Sequence, residues 1–228
     1  MAFAGGEIEF ASDGESVRAY LALPPRGRGP GVIVIQEWWG LVDHIREVCD
    51  RLAREGFVAL APDLYRGEST GDPGAAGRLM MDLALPRAAR DLEGAITALV
   101  NHDAVNGGKV AALGFCMGGQ LALYAASLSP RISAVVDCYG VHPNVRVDYA
   151  KIRAAVMGVF AERDAFVPPE SAHQLEADLR AAGVRTDFTV FAGVDHAFLN
   201  DSRPDVYDAA TAQRAWGRIL SFLRAGLA

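Results

Sequence analysis

No run of eighteen or more apolar residues occurs in this chain, so nothing in it is long enough to span a bilayer as a helix. Cysteine is scarce. Cys49, Cys116 and Cys138 are too few for a disulfide framework, and their odd number points to free thiols in a reducing, cytoplasmic compartment. Basic charge is not in excess: 22 Lys and Arg stand against 28 Asp and Glu, well mixed, for a net charge of −6. Nucleic acid and an anionic membrane surface, which both need a basic patch, are therefore not expected partners. The opening MAFAGGEIEF has neither the basic nor the apolar region of a secretory signal. There is no G-x-G-x-x-G after the first parallel strand and no P-loop, so no cofactor is expected. His44, His102, His142 and His173 have no partners at metal-ligand spacing, so no metal is expected either. Asp43-His44 comes nearest, and it reads instead as a helix start with Asp43 as the capping residue.

What is present is a core and an alternation. Hydrophobic residues make up 51% of the chain, with no linker, repeat or low-complexity block, so residues 1–228 read as one domain. Ile8 and Phe10, then Val17, Ala19, Leu21 and Leu23, alternate on either side of Asp13-Gly14, the pattern of an antiparallel hairpin at a sheet edge. Beyond Pro30 the pattern changes to short continuous apolar runs at 32–35, 57–61, 110–113, 134–136, 155–160 and 188–191, each suited to a strand buried on both faces. Helical spacing fills the gaps at 44–55, 86–100, 118–128, 169–182 and 207–227. Residues 67–77 are Gly-rich and read as a surface loop. Strand and helix alternate throughout, which predicts an α/β fold: a mostly parallel sheet with helices on both faces.

The chemistry concentrates at strand ends. Gly114-Phe115-Cys116-Met117-Gly118-Gly119 lies between a strand and a helix, the G-x-nucleophile-x-G pattern of a nucleophile elbow. Such a turn is sharp enough to demand near-absent side chains two residues to either side of the nucleophile. It also places the Cys116 sulfur at a helix N-terminus, whose partial positive charge favours a thiolate. In the α/β order an acid and then a histidine follow the nucleophile, and Asp164 and His196 each lie just past a predicted strand. Asp195 and Glu162 are the competing acids. Asp195 adjoins His196 and is poorly placed to reach its Nδ1, and Asp164 is preferred over Glu162. Gln36-Glu37-Trp38-Trp39-Gly40 follows the first parallel strand, where the second oxyanion donor belongs, so the amides of Trp38 and Met117 are the expected pair. The plain alternatives are a surface Glu37 with core tryptophans, and a Cys116 that is only a small buried hydrophobe. Cys49 and Cys138 read as structural.

These motifs resemble those of the dienelactone hydrolase family of α/β-hydrolases. The resemblance runs over nearly the whole chain, through Gln36-Glu37, Ala61-Pro62-Asp63-Leu64-Tyr65, the Cys116 elbow, Tyr139-Gly140, Asp164 with Val167-Pro168, and His196-Ala197-Phe198. It implies an α/β-hydrolase fold and a Cys116–His196–Asp164 triad acting on a small ester or lactone through an acyl-thioester. It also implies that Glu37 holds the thiol at rest and helps to deprotonate it. The chain departs from the family pattern where a substrate carboxylate is gripped. An arginine is expected four residues after the catalytic histidine, and Asn200 stands there, with Arg78 and Arg203 as candidate replacements. Trp39, Phe198, Asn200 and Arg78 are the candidate substrate contacts. A general carboxylesterase or thioesterase without a carboxylate requirement is the alternative enzyme. A redox sensor or ligand-binding protein on the same fold is the alternative of another class. Either a monomer or a homodimer is compatible with the sequence.

Overall fold

In the computed structural model, which describes residues 4–228, eight strands form one sheet. The hairpin is β1 (Ala4–Ser12) and β2 (Glu15–Leu23), turned at Asp13 and Gly14 with φ of +48° and +81°. Two successive positive φ values match the right-handed twist of the flanking strands, and Asp-Gly is the pair that tolerates them. β2 pairs antiparallel with β4 (Val58–Pro62), and all remaining pairings are parallel. The order is β1-β2-β4-β3-β5-β6-β7-β8, with β3 at Gly29–Ile35, β5 at Val105–Phe115, β6 at Ile132–Cys138, β7 at Ala155–Ala161 and β8 at Thr186–Phe191.

The strands are apolar on both faces because both faces are covered. Val32 and Val34 of β3 pack on the side of helices α1 (Asp43–Arg54) and α6 (Ala209–Gly226), against residues such as Ile45, Leu52, Ile219 and Leu223. Ile33 and Ile35 face the other way, toward α3 (Leu85–Val100) and α4 (Met117–Leu128), where Leu92, Ile96 and Leu121 lie. Helix α5 (Pro169–Ala181) covers β7 and β8. Chain order runs outward from β3 to β4 and then returns to β5 on β3's other side. That reversal opens a crevice at the carboxyl ends of β3 and β5, the place where open α/β sheets bind ligands.

Two sequence expectations are corrected. Part of the expected 67–77 loop is helix: α2 spans Pro73–Met81, with Asp72 accepting the Ala75 N–H at 2.7 Å and Pro73 in the first turn. An Asp cap followed by Pro is a helix-start signal that the surrounding glycines masked. Asp43, expected as a cap, is the first residue of α1. Val42 occupies the capping position, no side chain caps it, and Asp43 instead pairs with Arg46 at 3.6 Å.

Asp137, on β6, is fully buried and its oxygens make no well-formed hydrogen bond among the described residues, although the Gly140 amide acts on the carboxyl. A Cβ on Gly119 or Gly140 would collide with its Oδ1, so those two glycines leave the carboxyl its room. Burial pushes the acid from its ordinary 3.8 up to about 7, with the Gly140 amide pulling weakly the other way. A pKa raised on folding means that the native state holds a proton the unfolded chain releases. The contribution to stability is complete below about pH 4 and is lost as pH rises through about 7. Asp137→Asn is therefore expected to raise Tm relative to wild type more at pH 8.5 than at pH 5, in scanning calorimetry. An equal difference at the two pH values would contradict this account.

Candidate active site

The turn between β5 and α4 holds Cys116 at φ +52° and ψ −122°. A Cβ at Gly114 would strike the Gly118 carbonyl, and one at Gly118 would strike the carbonyls of Ile35 and Gln36. The two glycines of the motif are thus required by the packing of strand against helix. Backbone bonds hold the turn: the Cys116 N–H donates to Cys138 O at 2.9 Å, and the Cys116 carbonyl accepts from Gly119 at 2.9 Å and Val141 at 3.2 Å.

The imidazole and its acid come together from the ends of β8 and β7. His196 Nδ1 lies 2.7 Å from Asp164 Oδ2. Asp164 is buried, and its Oδ1 accepts the amides of Phe166 at 2.8 Å and Val167 at 2.9 Å, which fixes the carboxylate before the imidazole arrives. The other two acids are engaged elsewhere. Glu162 accepts the Gly193 N–H at 2.8 Å and Asp195 pairs with Arg163 at 3.5 Å. The imidazole is flanked by Tyr139, its ring centroid 4.9 Å away, and by Phe166 at 5.0 Å. With Nδ1 bonded to a carboxylate, the tautomer carries its proton there and leaves Nε2 as the basic nitrogen.

The loop after β3 closes the other side. Glu37 is buried; its Oε2 accepts the Asn200 side-chain N–H at 2.8 Å, and its Oε1 has no hydrogen-bond partner. Asn200 is itself fixed, its Oδ1 accepting from the Ser202 amide at 3.0 Å and hydroxyl at 2.6 Å. The segment after β4 braces both flanks: the Leu64 amide donates to Gln36 Oε1 at 3.2 Å, and the Tyr65 hydroxyl to the Met117 sulfur at 3.2 Å. The amides of Trp38 and Met117 both face the Cys116 sulfur.

The thiol departs from the sequence expectation. Position at the N-terminus of α4 was expected to favour thiolate, yet the pKa is raised well above its ordinary value. Burial is the largest cause and the nearby Glu37 carboxylate the second, and these outweigh the Met117 and Trp38 amides. A helix terminus contributes roughly 0.3–2 kcal/mol, whereas full burial can move a pKa by about 3–5 units. Burial wins, and the resting cysteine is a protonated thiol.

Cys116, His196, Glu37, Trp38 and Trp39 line one cavity of about 470 Å³, otherwise walled mainly by apolar side chains, among them Met80, Val141 and Phe166. Three candidate substrate contacts are not part of this cavity's lining. Phe198 is fully buried against Tyr139 and Phe191, so it supports the wall from behind. Asn200 is committed to Glu37, and Arg78 is exposed on α2, outside the cavity lining. Arg203 does reach the cavity, with Nη2 bonded to Asp205 at 2.6 Å. Sequence reasoning missed Met80 and Pro73 because α2 was read as loop. It also missed the pairing of buried His44 with Asp201 at 3.2 Å, which joins α1 to the turn carrying Asn200.

Comparison with known proteins agrees with this architecture. Residues 17–227 match the dienelactone hydrolase family. The chain is 39% identical to Protein usf of Aquifex pyrophilus over 96% of its own length and 98% of the relative's. It is 36% identical to the "Putative carboxymethylenebutenolidase" of Aquifex aeolicus, with the same coverage. A crystal structure titled "Putative Dienelactone Hydrolase" from Klebsiella pneumoniae superposes with a TM-score of 0.89 at 30% identity, covering 98% of this chain and 99% of the other. A match over almost the full sequence, on an α/β-hydrolase fold with the site at the sheet's switch point, makes this chain a member of the dienelactone hydrolase family.

Proposed function

We propose that the chain hydrolyses small esters or lactones by nucleophilic catalysis at Cys116, through an acyl-thioester. The observation that carries the reading is that Cys116, Glu37 and the His196 imidazole, which Asp164 holds from behind, line one largely apolar cavity, with the Trp38 and Met117 amides acting on the sulfur. The three free cysteines fit a reducing, cytoplasmic setting.

At rest the thiol keeps its proton, so attack needs a base. Glu37 lies beside the sulfur with one oxygen unpartnered among the described residues, and His196 lines the same cavity as Cys116. When an ester enters, the thiol proton passes to this pair and the sulfur forms a bond to the carbonyl carbon. The oxygen that becomes negative rests on the Trp38 and Met117 amides; each such donor is typically worth about 3–4 kcal/mol in the transition state. The C–O bond then breaks, with His196 protonating the departing alkoxide. Water, deprotonated by His196, attacks the thioester, and the acid leaves as the thiol re-forms. Asp164 holds the imidazole in the needed tautomer throughout.

Cys116→Ala is expected to lower kcat on 4-nitrophenyl acetate by roughly 10³-fold or more, and Asp164→Asn by on the order of 10³–10⁴-fold. Circular dichroism would show that both variants fold. Turnover by the alanine variant at the wild-type rate would remove the nucleophile from this scheme. Because the thiol's pKa is raised, alkylation of Cys116 by iodoacetamide, followed on its tryptic peptide, should be slow at pH 7 and still climbing at pH 10. A rate that levels off near neutral pH would mean a resting thiolate.

A further inference from the structure

The charges around the cavity, rather than its shape, bear on what it takes. Its lining holds one carboxylate beside the sulfur, Glu37, one guanidinium, Arg203, and the His196 imidazole, whose Nδ1 is paired with Asp164. Arg203 is already paired: its Nη2 bonds Asp205 Oδ2 at 2.6 Å, so the two together bring no net charge to the rim. Glu37 forms no ion pair among the described residues. Its hydrogen-bond donor is the neutral amide of Asn200, and its second oxygen has none. A smaller cavity of about 280 Å³ continues past Trp39 and Arg203, and it adds only uncharged polar groups, Thr70, Asn200 and Ser202. Like charges separated by several ångströms in a partly desolvated pocket repel strongly. A second carboxylate on the substrate would meet Glu37 unscreened, while the apolar walls of Trp38, Trp39, Val141 and Phe166 favour an uncharged body.

We propose that this site selects uncharged esters or lactones with an apolar acyl or aryl body and discriminates against those carrying a second carboxylate. The pairing of Arg203 with Asp205 makes Asp205 a specificity-determining residue. The proposal rests on the ester-hydrolase reading above.

The experiment compares kcat/KM for 4-nitrophenyl hexanoate and mono-4-nitrophenyl adipate, which place a methyl or a carboxylate at the chain's end. Spontaneous hydrolysis is subtracted. Wild type is expected to prefer the hexanoate by about ten-fold or more. Asp205→Asn, which frees the guanidinium, is expected to narrow that ratio several-fold through a lower KM for the adipate. An adipate rate equal to or above the hexanoate rate in wild type would overturn the proposal. So would an Asp205→Asn ratio identical to wild type's. Absence of turnover on either ester in wild type would instead count against the hydrolase reading itself, so the two failures are distinguishable.

Discussion

Holding a residue with a side chain in the left-handed region between a strand and a helix costs on the order of 1–3 kcal/mol, and the conformation persists only where its surroundings over-determine it. At Cys116 they do. The amide and carbonyl of the residue are both bonded to neighbouring backbone, and Gly114 and Gly118 let α4 approach β5 and β3 within the space a methyl group would fill. The position of the sulfur, the direction of the Met117 amide and the start of α4 all descend from that one turn. The sheet's reversal between β3 and β5 then places the Trp38 amide and Glu37 opposite it. Loosening the turn would scatter groups that come from four different strand ends.

The electrostatics of the site are set by exclusion of water more than by any single charge. A helix N-terminus and two amides are aimed at the sulfur, and in water they would favour its anion. Enclosed as it is, the thiol is held protonated by desolvation and by Glu37. In the proposed reaction, the same enclosure would strengthen every dipole that faces the developing oxyanion. On the proposed ester-hydrolase reading, a site that resists charge at rest and stabilises it in the transition state spends little on the ground state, which is the condition for differential binding.

Much of this was legible in the sequence, for identifiable reasons. Continuous apolar runs such as Val32–Ile35 and Ala134–Val136 are buried on both faces, and only a covered parallel sheet has that pattern. The elbow could be read because its glycines answer a steric demand, and the order of Asp164 and His196 because each ends a strand. What could not be read depends on three-dimensional neighbours. The tie between Asn200 and Glu37 joins positions 163 residues apart. Phe198, adjacent to the site in sequence, turns inward to the core. The thiol's ionisation reflects burial, a property of the assembled fold that no motif encodes. Helix α2 was missed for a different reason: with only Ala76 buried, it has almost no apolar stripe for periodicity to reveal.

That thin attachment of α2 has its own consequence. Pro73 and Met80 form part of the cavity wall, yet the helix that carries them is joined to the body by little buried surface. Segments with few buried contacts open at a small fraction of the global unfolding free energy. The α2 wall is thus held by fewer fully buried residues than the elbow and the imidazole opposite it. Mutational change in these nine residues can alter which molecules enter without disturbing the elbow, the imidazole or the sheet beneath them.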